Sequence, residues 1–192
     1  MSFPVRLTRE DVQALDTFDL LPLRQAVSLD CEGRIAMASQ RLLDGLSRPE
    51  RFRILRHGAG GQILARNGLA LAEAQGVLQQ VYGGLVSFGT PRVHTVTDDA
   101  TGATLVPVMR LRIDAPRACR QAVVRTLDER AAAPREIAVV RDGIVVRTES
   151  PLAALIGLER QVLERTDGAA HVLCWLARYG PAHGSGARKV QA

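Results

Sequence analysis

The sequence predicts an α+β fold in which one βαββαβ unit occurs twice in tandem. Two observations point to this fold. Apolar residues alternate over short runs and recur at helical spacing over longer ones, and the order of these runs in residues 26–97 repeats in residues 104–179. The chain has 192 residues, of which 46% are hydrophobic, enough for one or two modest cores. Each unit should be ferredoxin-like, with an antiparallel four-stranded sheet and both helices on one face.

The first unit, residues 26–97, follows a lead-in of residues 1–25 with a short helix predicted at 8–18. Its strand, helix, hairpin, helix and final extended segments are predicted at residues 26–31, 34–46, 52–65, 69–81 and 86–96. The first helix rests on the helical spacing of its apolar residues. The glycine-rich segment HGAGGQ should form the hairpin turn.

The second unit, residues 104–179, repeats this order. Its strand, helix, hairpin and final helix-turn-strand segment are predicted at residues 105–113, 116–130, 137–146 and 151–179. Pro116 suits a first helical position, and Asp142-Gly143 is a typical two-residue hairpin turn. Ser150 should cap one continuous last helix that starts at Pro151.

Two short segments lie outside the units. Residues 98–103, DDATGA, are either a linker or a tight turn that joins two strands. Residues 180–192 have the composition of a disordered tail.

The chain is mildly basic, with a formal net charge of +5 and a pI of about 9.8. This charge permits an anionic partner such as RNA without requiring one. Lys189 is the only lysine among the 25 basic residues. The preference for arginine fits phosphate recognition, and it equally fits a coding bias that favours arginine throughout the chain.

The cysteines and the hydropathy pattern indicate a cellular compartment. Cys31, Cys119 and Cys174 are odd in number and widely spaced, so we expect reduced thiols and no disulfide framework. No apolar run approaches the roughly 20 residues that cross a bilayer, and the N-terminal segment lacks the apolar core of a signal peptide. We therefore expect a cytoplasmic protein that does not contact a membrane.

The spacing of the histidine, cysteine, serine and acidic residues does not indicate a catalytic site. His171 and Cys174 lie on a predicted strand, where alternation sends them to opposite faces, so they cannot bind one metal ion together. No Ser-His-Asp or paired-carboxylate arrangement can be argued from spacing. We expect no catalytic residues, no metal site, no cofactor and no nucleotide. An enzyme would need a pocket with a perturbed titratable group.

The second unit carries the candidate binding residues. Alternation along its strands places one group of side chains on the sheet face that the helices leave open. That group is Arg110, Arg112, Val145, Arg147, His171, Leu173 and Trp175. Three interpretations stay open: the face binds RNA through base stacking and arginine-phosphate contacts, it forms a protein interface that includes self-association, or another part of the chain covers it.

The motifs of the second unit resemble a known family. Residues 151–179 open with Pro-Leu, carry Gly157 in the helix, end it with Thr-x-Gly and close the strand with Tyr179. Residues 105–110, Leu-Val-Pro-Val-Met-Arg, stand at the start of the unit. This order of motifs resembles the fifth domain of elongation factor G, a translational GTPase. In the first unit, GGQILARNGLALAE at residues 60–73 and FGTPRV at residues 88–93 resemble the third domain of the same family.

The resemblance covers only part of that family's domains. Residues 98–103 stand where the family has its whole fourth domain, and the sequence contains no phosphate-binding G-x-x-x-x-G-K-[ST] motif. The resemblance therefore implies a non-catalytic, translation-factor-like protein that binds the ribosome or a translation-associated partner. The alternative is an oligomeric protein-interaction module of the same fold that no longer binds ribosomes and uses the Trp175 face for a homodimer.

Overall fold

The computed structural model describes residues 19–30 and 37–181, which form two antiparallel sheets, each with helices on one face. This arrangement confirms the predicted α+β fold. The helix predicted at residues 8–18, the thiol of Cys31 and residues 182–192 of the predicted tail lie outside the described residues. The first two residues of that predicted tail, Gly180 and Pro181, are not disordered, because they belong to the last strand of the second sheet.

The elements of the first unit are β1 (Leu23–Leu29), α1 (Gln40–Leu46), β2 (Phe52–His57), β3 (Gly60–Ala65), α2 (Gly68–Tyr82), β4 (Val86–Phe88) and β5 (Arg92–Val93). Its sheet has the strand order β2-β3-β1-β4, and β5 also pairs with β1. Alternation along β1 buries Leu23 and Val27 against the helices. Strand β1 starts three residues earlier than the sequence predicts.

The remaining elements are β6 (Val96–Thr97), β7 (Thr104–Ala115), α3 (Arg120–Glu129), β8 (Glu136–Val140), β9 (Gly143–Pro151), α4 (Leu152–Leu155), α5 (Leu158–Arg165) and β10 (His171–Pro181). The second sheet has the strand order β10-β7-β9-β8, and β6 also pairs with β7. The central strand β7 pairs with both β9 and β10, and its inward residues Met109, Leu111 and Ile113 are buried.

Residues 98–103 connect β6 to β7 as a hairpin loop. Val96 pairs with Leu105 and Thr97 with Thr104. The backbone N–H of Asp98 donates to the carbonyl of Ala103 at 2.8 Å across the loop. The two units are therefore joined by paired strands.

The turn predicted at Asp142-Gly143 is wrong by one residue. Val140 pairs with Gly143, which leaves Arg141 and Asp142 as the turn. Gly143 serves instead to let two strands approach, since a Cβ there would lie 2.3 Å from the carbonyl oxygen of Ala115. Gly60 has the same role in the first unit, where its Cβ would lie 2.4 Å from the oxygen of Val27.

The single last helix predicted from Ser150 is also wrong. Ser150 belongs to β9, which stays paired with β7 as far as Pro151, and it does not cap a helix. The helical segment is divided into α4 and α5 because Gly157 has a φ of +79°, a conformation that glycine adopts readily. The end of α5 is as predicted, with Gly168 in a left-handed conformation.

The two units contact each other at the buried carboxylate of Glu159 on α5. Its Oε2 accepts a hydrogen bond of 2.9 Å from the backbone N–H of Leu69, in the first turn of α2. A helix N-terminus has unpaired N–H groups and a positive dipole end, both of which favour a carboxylate. A Cβ on Gly68 would lie 2.9 Å from the same oxygen, so glycine makes room for the approach. Glu159 is only 2% exposed.

Two further hydrogen bonds join the first unit and its leading residues to strand β10. The Asn67 side chain caps α2 through the Ala70 N–H, and its Nδ2 donates to the carbonyl of Cys174 at 3.0 Å. The Tyr179 hydroxyl donates to the carbonyl of Asp19 at 2.8 Å. Strand β10 is thus bonded to the first unit at Cys174 and to its leading residues at Tyr179.

None of the helices in the part of the chain that the structure describes is long and apolar enough to span a membrane.

Replacing Gly143 by alanine should lower the free energy of unfolding by about 1–3 kcal/mol, because the added Cβ forces apart β9 and the end of β7. Gly76→Ala is the matched control. Gly76 lies inside α2, and no atom would come within 4 Å of a Cβ added there, so alanine should raise the free energy by about 0.5–1 kcal/mol. Urea unfolding of both variants measures the difference, and equal effects would contradict the assigned role of Gly143.

The charge of Glu159 should oppose folding, although its carboxyl group is needed as an acceptor. Burial raises the pKa of Glu159 above its ordinary value of 4.5, with the Leu69 N–H opposing. The folded state therefore binds the proton more tightly than the unfolded chain, and this carboxyl contributes less stability as the pH rises above 4.5. Gln keeps an acceptor for Leu69, so Glu159→Gln should unfold at pH 7 with a free energy equal to or above wild type.

Glu159→Ala should behave differently, because it leaves the Leu69 N–H buried without an acceptor. We expect it to lower the free energy of unfolding by about 1–3 kcal/mol. Urea unfolding of the two variants and the wild type at pH 5 and pH 7 tests both expectations. A wild type that gains stability over Glu159→Gln between pH 5 and 7 would contradict the inferred cost of the buried charge.

Candidate interaction surface

The strand register brings the predicted binding residues together on the open face of the second sheet. In one row across the strands, Trp175 lies opposite Arg110, which lies opposite Glu149. The next row contains Leu173, Arg112, Arg147 and Glu136. A third row contains His171, Asp114, Val145 and Ala138. We call this surface the arginine face.

The exposure of these side chains varies along the face. Leu173 is 41% exposed. The side chains of Arg110, Arg112 and Arg147 are 53%, 41% and 43% exposed. Trp175 is half-buried, His171 is exposed, and Val145 is buried. The face thus presents an apolar strip on β10 beside arginines on β7 and β9.

A carboxylate shared by three arginines organises one end of the face. Glu149 Oε1 accepts from Arg110 at 2.8 Å, and its Oε2 accepts from Arg135 at 2.9 Å and from Arg178 at 2.8 Å. Partial burial alone would raise the pKa of Glu149, but the hydrogen bonds and positive charges of these arginines outweigh it and lower the pKa to about 2. Glu149 is therefore ionised over the whole physiological pH range and holds the three guanidinium groups in place.

Arg178 reaches this cluster because of a β-bulge in β10. The register of β10 shifts between Leu176 and Arg178, leaving Ala177 as the extra residue. Without the bulge, alternation would turn Arg178 away from Trp175 and towards the helices. No sequence pattern marked the bulge. Alternation along the sequence does predict that Glu149 points to the same face as Val145 and Arg147, but its role as the acceptor shared by three arginines shows only in the structure.

Two arginines of like charge face each other at the centre of the arginine face. Arg112 on β7 lies directly opposite Arg147 on β9, an arrangement that destabilises a sheet unless other groups compensate the charges. Each has one carboxylate partner at 2.9 Å, Asp114 for Arg112 and Glu136 for Arg147. Both arginines remain accessible, so further donors can reach an anion placed between them.

The face as a whole retains a positive excess. Its ion pairs join five arginines to only three carboxylates. The arrangement can bind an anion through guanidinium groups whose positions are already set by ion pairs, while Trp175 and Leu173 offer an apolar surface next to it.

The two cysteines in the described part of the chain contribute to packing. Burial, and then the charge of Glu159, raises the pKa of the Cys174 thiol, so the thiol stays protonated and is a poor nucleophile. Cys119 is partly buried against the core of the second unit. Among the described residues, no group of three His, Cys, Asp or Glu side chains could hold a metal ion.

Residues 104–190 match a protein family described as "Elongation factor G C-terminus". The match confirms the resemblance inferred from the motifs of the second unit, and that unit is a domain similar to the C-terminal domain of a translation factor. The first unit lies outside the matched range, so its resemblance to the third domain stays a prediction. Comparison with curated proteins found no match.

Glu149→Gln should destabilise the protein in a pH-dependent way. The folded-state pKa is lowered from 4.5 to about 2, so the stability that Glu149 contributes is fully present above 4.5 and is lost as the pH falls towards 2. Thermal unfolding between pH 2 and pH 7 should show a lower Tm for Glu149→Gln than for the wild type at pH 7. This difference in Tm should become smaller as the pH falls towards 2.

Glu164→Gln is the control for this titration. Glu164 is 66% exposed and makes one long ion pair of 3.6 Å with Arg160, so its replacement should change stability by less than about 0.5 kcal/mol. A difference in Tm between the wild type and Glu149→Gln that stays constant across the pH range would contradict the role assigned to Glu149 and its three arginines.

Proposed function

We propose that this protein is a non-catalytic, translation-factor-like protein of the cytoplasm that binds the ribosome through the arginine face. It needs no nucleotide and no other cofactor for this binding. The similarity of residues 104–190 to the C-terminal part of elongation factor G supports a role in translation. The chemistry of the face favours ribosomal RNA as the contacted component.

The observation that carries this proposal is the pair of opposed arginines, Arg112 and Arg147. Two accessible guanidinium groups held side by side suit the phosphate oxygens of an RNA backbone, which they can bind with bidentate geometry. An RNA phosphate between them would also relieve their mutual repulsion.

The apolar strip next to the arginines adds a second kind of contact. Trp175 is half-buried in the row next to that of Arg112 and Arg147, and Leu173 shares their row. An unstacked RNA base can stack on an indole while arginines hold the neighbouring phosphates.

A protein partner is the second candidate for the same face. Leu173 is one of the large exposed hydrophobic residues of the structure, and tryptophan with arginine is a combination enriched in protein interfaces. Such a partner could be a translation-associated protein or another copy of this chain. It would bury Leu173 and Trp175 and depend little on salt.

Cosedimentation with ribosomes over a salt series distinguishes the two candidates. If the arginine face binds RNA phosphates, the affinity should fall by about 20- to 40-fold between 50 and 200 mM salt, as expected for some three phosphate contacts. Arg112→Ala/Arg147→Ala should lose most of the pelleting at 50 mM salt. Trp175→Ala should weaken binding with an unchanged salt slope.

The control variant removes the same charge elsewhere. Arg56→Ala/Arg160→Ala deletes two exposed arginines from β2 and α5, away from the arginine face, and should pellet like the wild type. Equal losses in both double variants would mean that net charge, and not the face, drives pelleting. Background pelleting of the wild type at 50 mM salt would contradict ribosome binding.

A further inference from the structure

Strand β8 is an outer strand whose free edge contrasts with the corresponding edge of the first sheet. In the first sheet, side chains of α1 and of Ser47, the residue that follows it, cover the edge of β2. Gln40 bonds the carbonyl of Ile54 at 3.1 Å and the N–H of Arg56 at 2.8 Å, and Ser47 accepts from the N–H of Ile54 at 2.9 Å. Such covering prevents a further strand from pairing there.

The edge of β8 has almost no such cover. In the described part of the chain, the one side chain that bonds its backbone is Arg117, whose Nη2 donates to the carbonyl of Val140 at 3.0 Å. Val139 is 60% exposed and Val140 is 44% exposed. An exposed, apolar strand edge is a ready template for pairing with another strand.

A groove of about 890 Å³ runs along helix α3 and reaches β8 at Ile137. Ile137 and Val124, both half-buried, line it on the strand side and the helix side. The groove therefore continues the apolar surface of the strand edge towards the helix.

Charged residues give the two ends of this groove opposite signs. Arg120, Val124 and Asp128 follow one another at four-residue spacing on α3, which places them on one side of the helix over about 12 Å. All three line the groove. Neither Arg120 nor Asp128 has an ion-pair partner among the described residues, whereas the neighbouring Arg125 and Glu129 pair with each other.

The direction of α3 relative to β8 sets which end is basic. Arg117, just before α3, bonds Val140 at the end of β8, and a short connection leads from Glu129 at the end of α3 to Glu136 at the start of β8. Helix and strand are therefore antiparallel, with Arg120 towards the Val140 end and Asp128 towards the Glu136 end.

We propose that the occupant of this edge and groove is a second copy of this chain. Two β8 strands pair antiparallel about a twofold axis and join the second sheets of both copies into one continuous sheet. The same axis sets the two α3 helices antiparallel. Val124 then meets Val124 of the other copy, and Arg120 meets Asp128 of the other copy.

Charge complementarity favours a second copy over an unrelated peptide. A surface that is basic at one end, apolar in the middle and acidic at the other matches itself when turned by 180°. Each of the two unpaired charges gains an opposite partner, and the exposed Val139 and Val140 are buried. This dimer leaves the arginine face accessible, so it is independent of the proposed ribosome binding.

Charge reversal with mixing tests the proposal. Analytical ultracentrifugation of the wild type should give twice the chain mass of 20.8 kDa. Arg120→Glu alone and Asp128→Arg alone should each weaken dimerisation by at least about tenfold, since each places like charges opposite each other at both ends. An equimolar mixture of the two variants should recover the dimer, because Glu at 120 faces Arg at 128 and the native Asp128 faces the native Arg120.

Two further variants separate this interface from dimerisation through a different surface. Val139→Lys should make the protein monomeric, because it places a charge on the strand edge that pairs in the dimer. Val81→Lys, at a site 51% exposed on α2, should leave the dimer intact.

A monomeric wild type at several hundred micromolar would overturn the proposal. So would single variants that stay dimeric, a mixture that stays monomeric, or a dimer that only Trp175→Ala dissociates. Ribosome cosedimentation of Arg120→Glu should remain as in the wild type, so failure of one proposal is distinguishable from failure of the other.

Discussion

The hydrogen bond from the Leu69 N–H to the carboxylate of Glu159 is the contact on which the relation between the two units depends. It places a buried carboxylate of one unit at the N-terminus of a 15-residue helix of the other. The helix end gains an acceptor, while the carboxyl group loses its hydration. The contact stabilises one relative position of the units, because displacement would leave the Leu69 N–H and the buried carboxylate without each other as partners.

This contact also brings a second residue of the first unit against the second unit. With α2 held against α5, Asn67 reaches the carbonyl of Cys174 on β10. Within the described residues, one side chain, that of Arg117, bonds the backbone of β8, and the sheet face away from the helices carries exposed arginines. The two surfaces differ in chemistry, since the edge of β8 has exposed valines and the arginine face has arginine and carboxylate side chains. They suit different partners and can be occupied at the same time.

The arginine face owes its geometry to acidic residues as much as to basic ones. Glu149, Asp114 and Glu136 hold the guanidinium groups at defined positions on the sheet. A ligand that meets such a surface does not need to order long, flexible side chains on binding, and the entropic cost of association falls accordingly. The remaining positive charge is modest, which favours a specific contact over indiscriminate adsorption to nucleic acid.

The sequence by itself determined the α+β class, the repeated order of elements and the face shared by Arg110, Arg112, Arg147, Leu173 and Trp175, because periodicity and strand alternation are local properties of the chain. Only the tertiary structure decided the bulge at Ala177 that adds Arg178 to Glu149, the break at Gly157 and the role of Gly143 beside Ala115. The meeting of Glu159 with Leu69 is of the same kind. Each depends on residues that are distant in sequence or on a register that pairing selects, and no local pattern records such contacts.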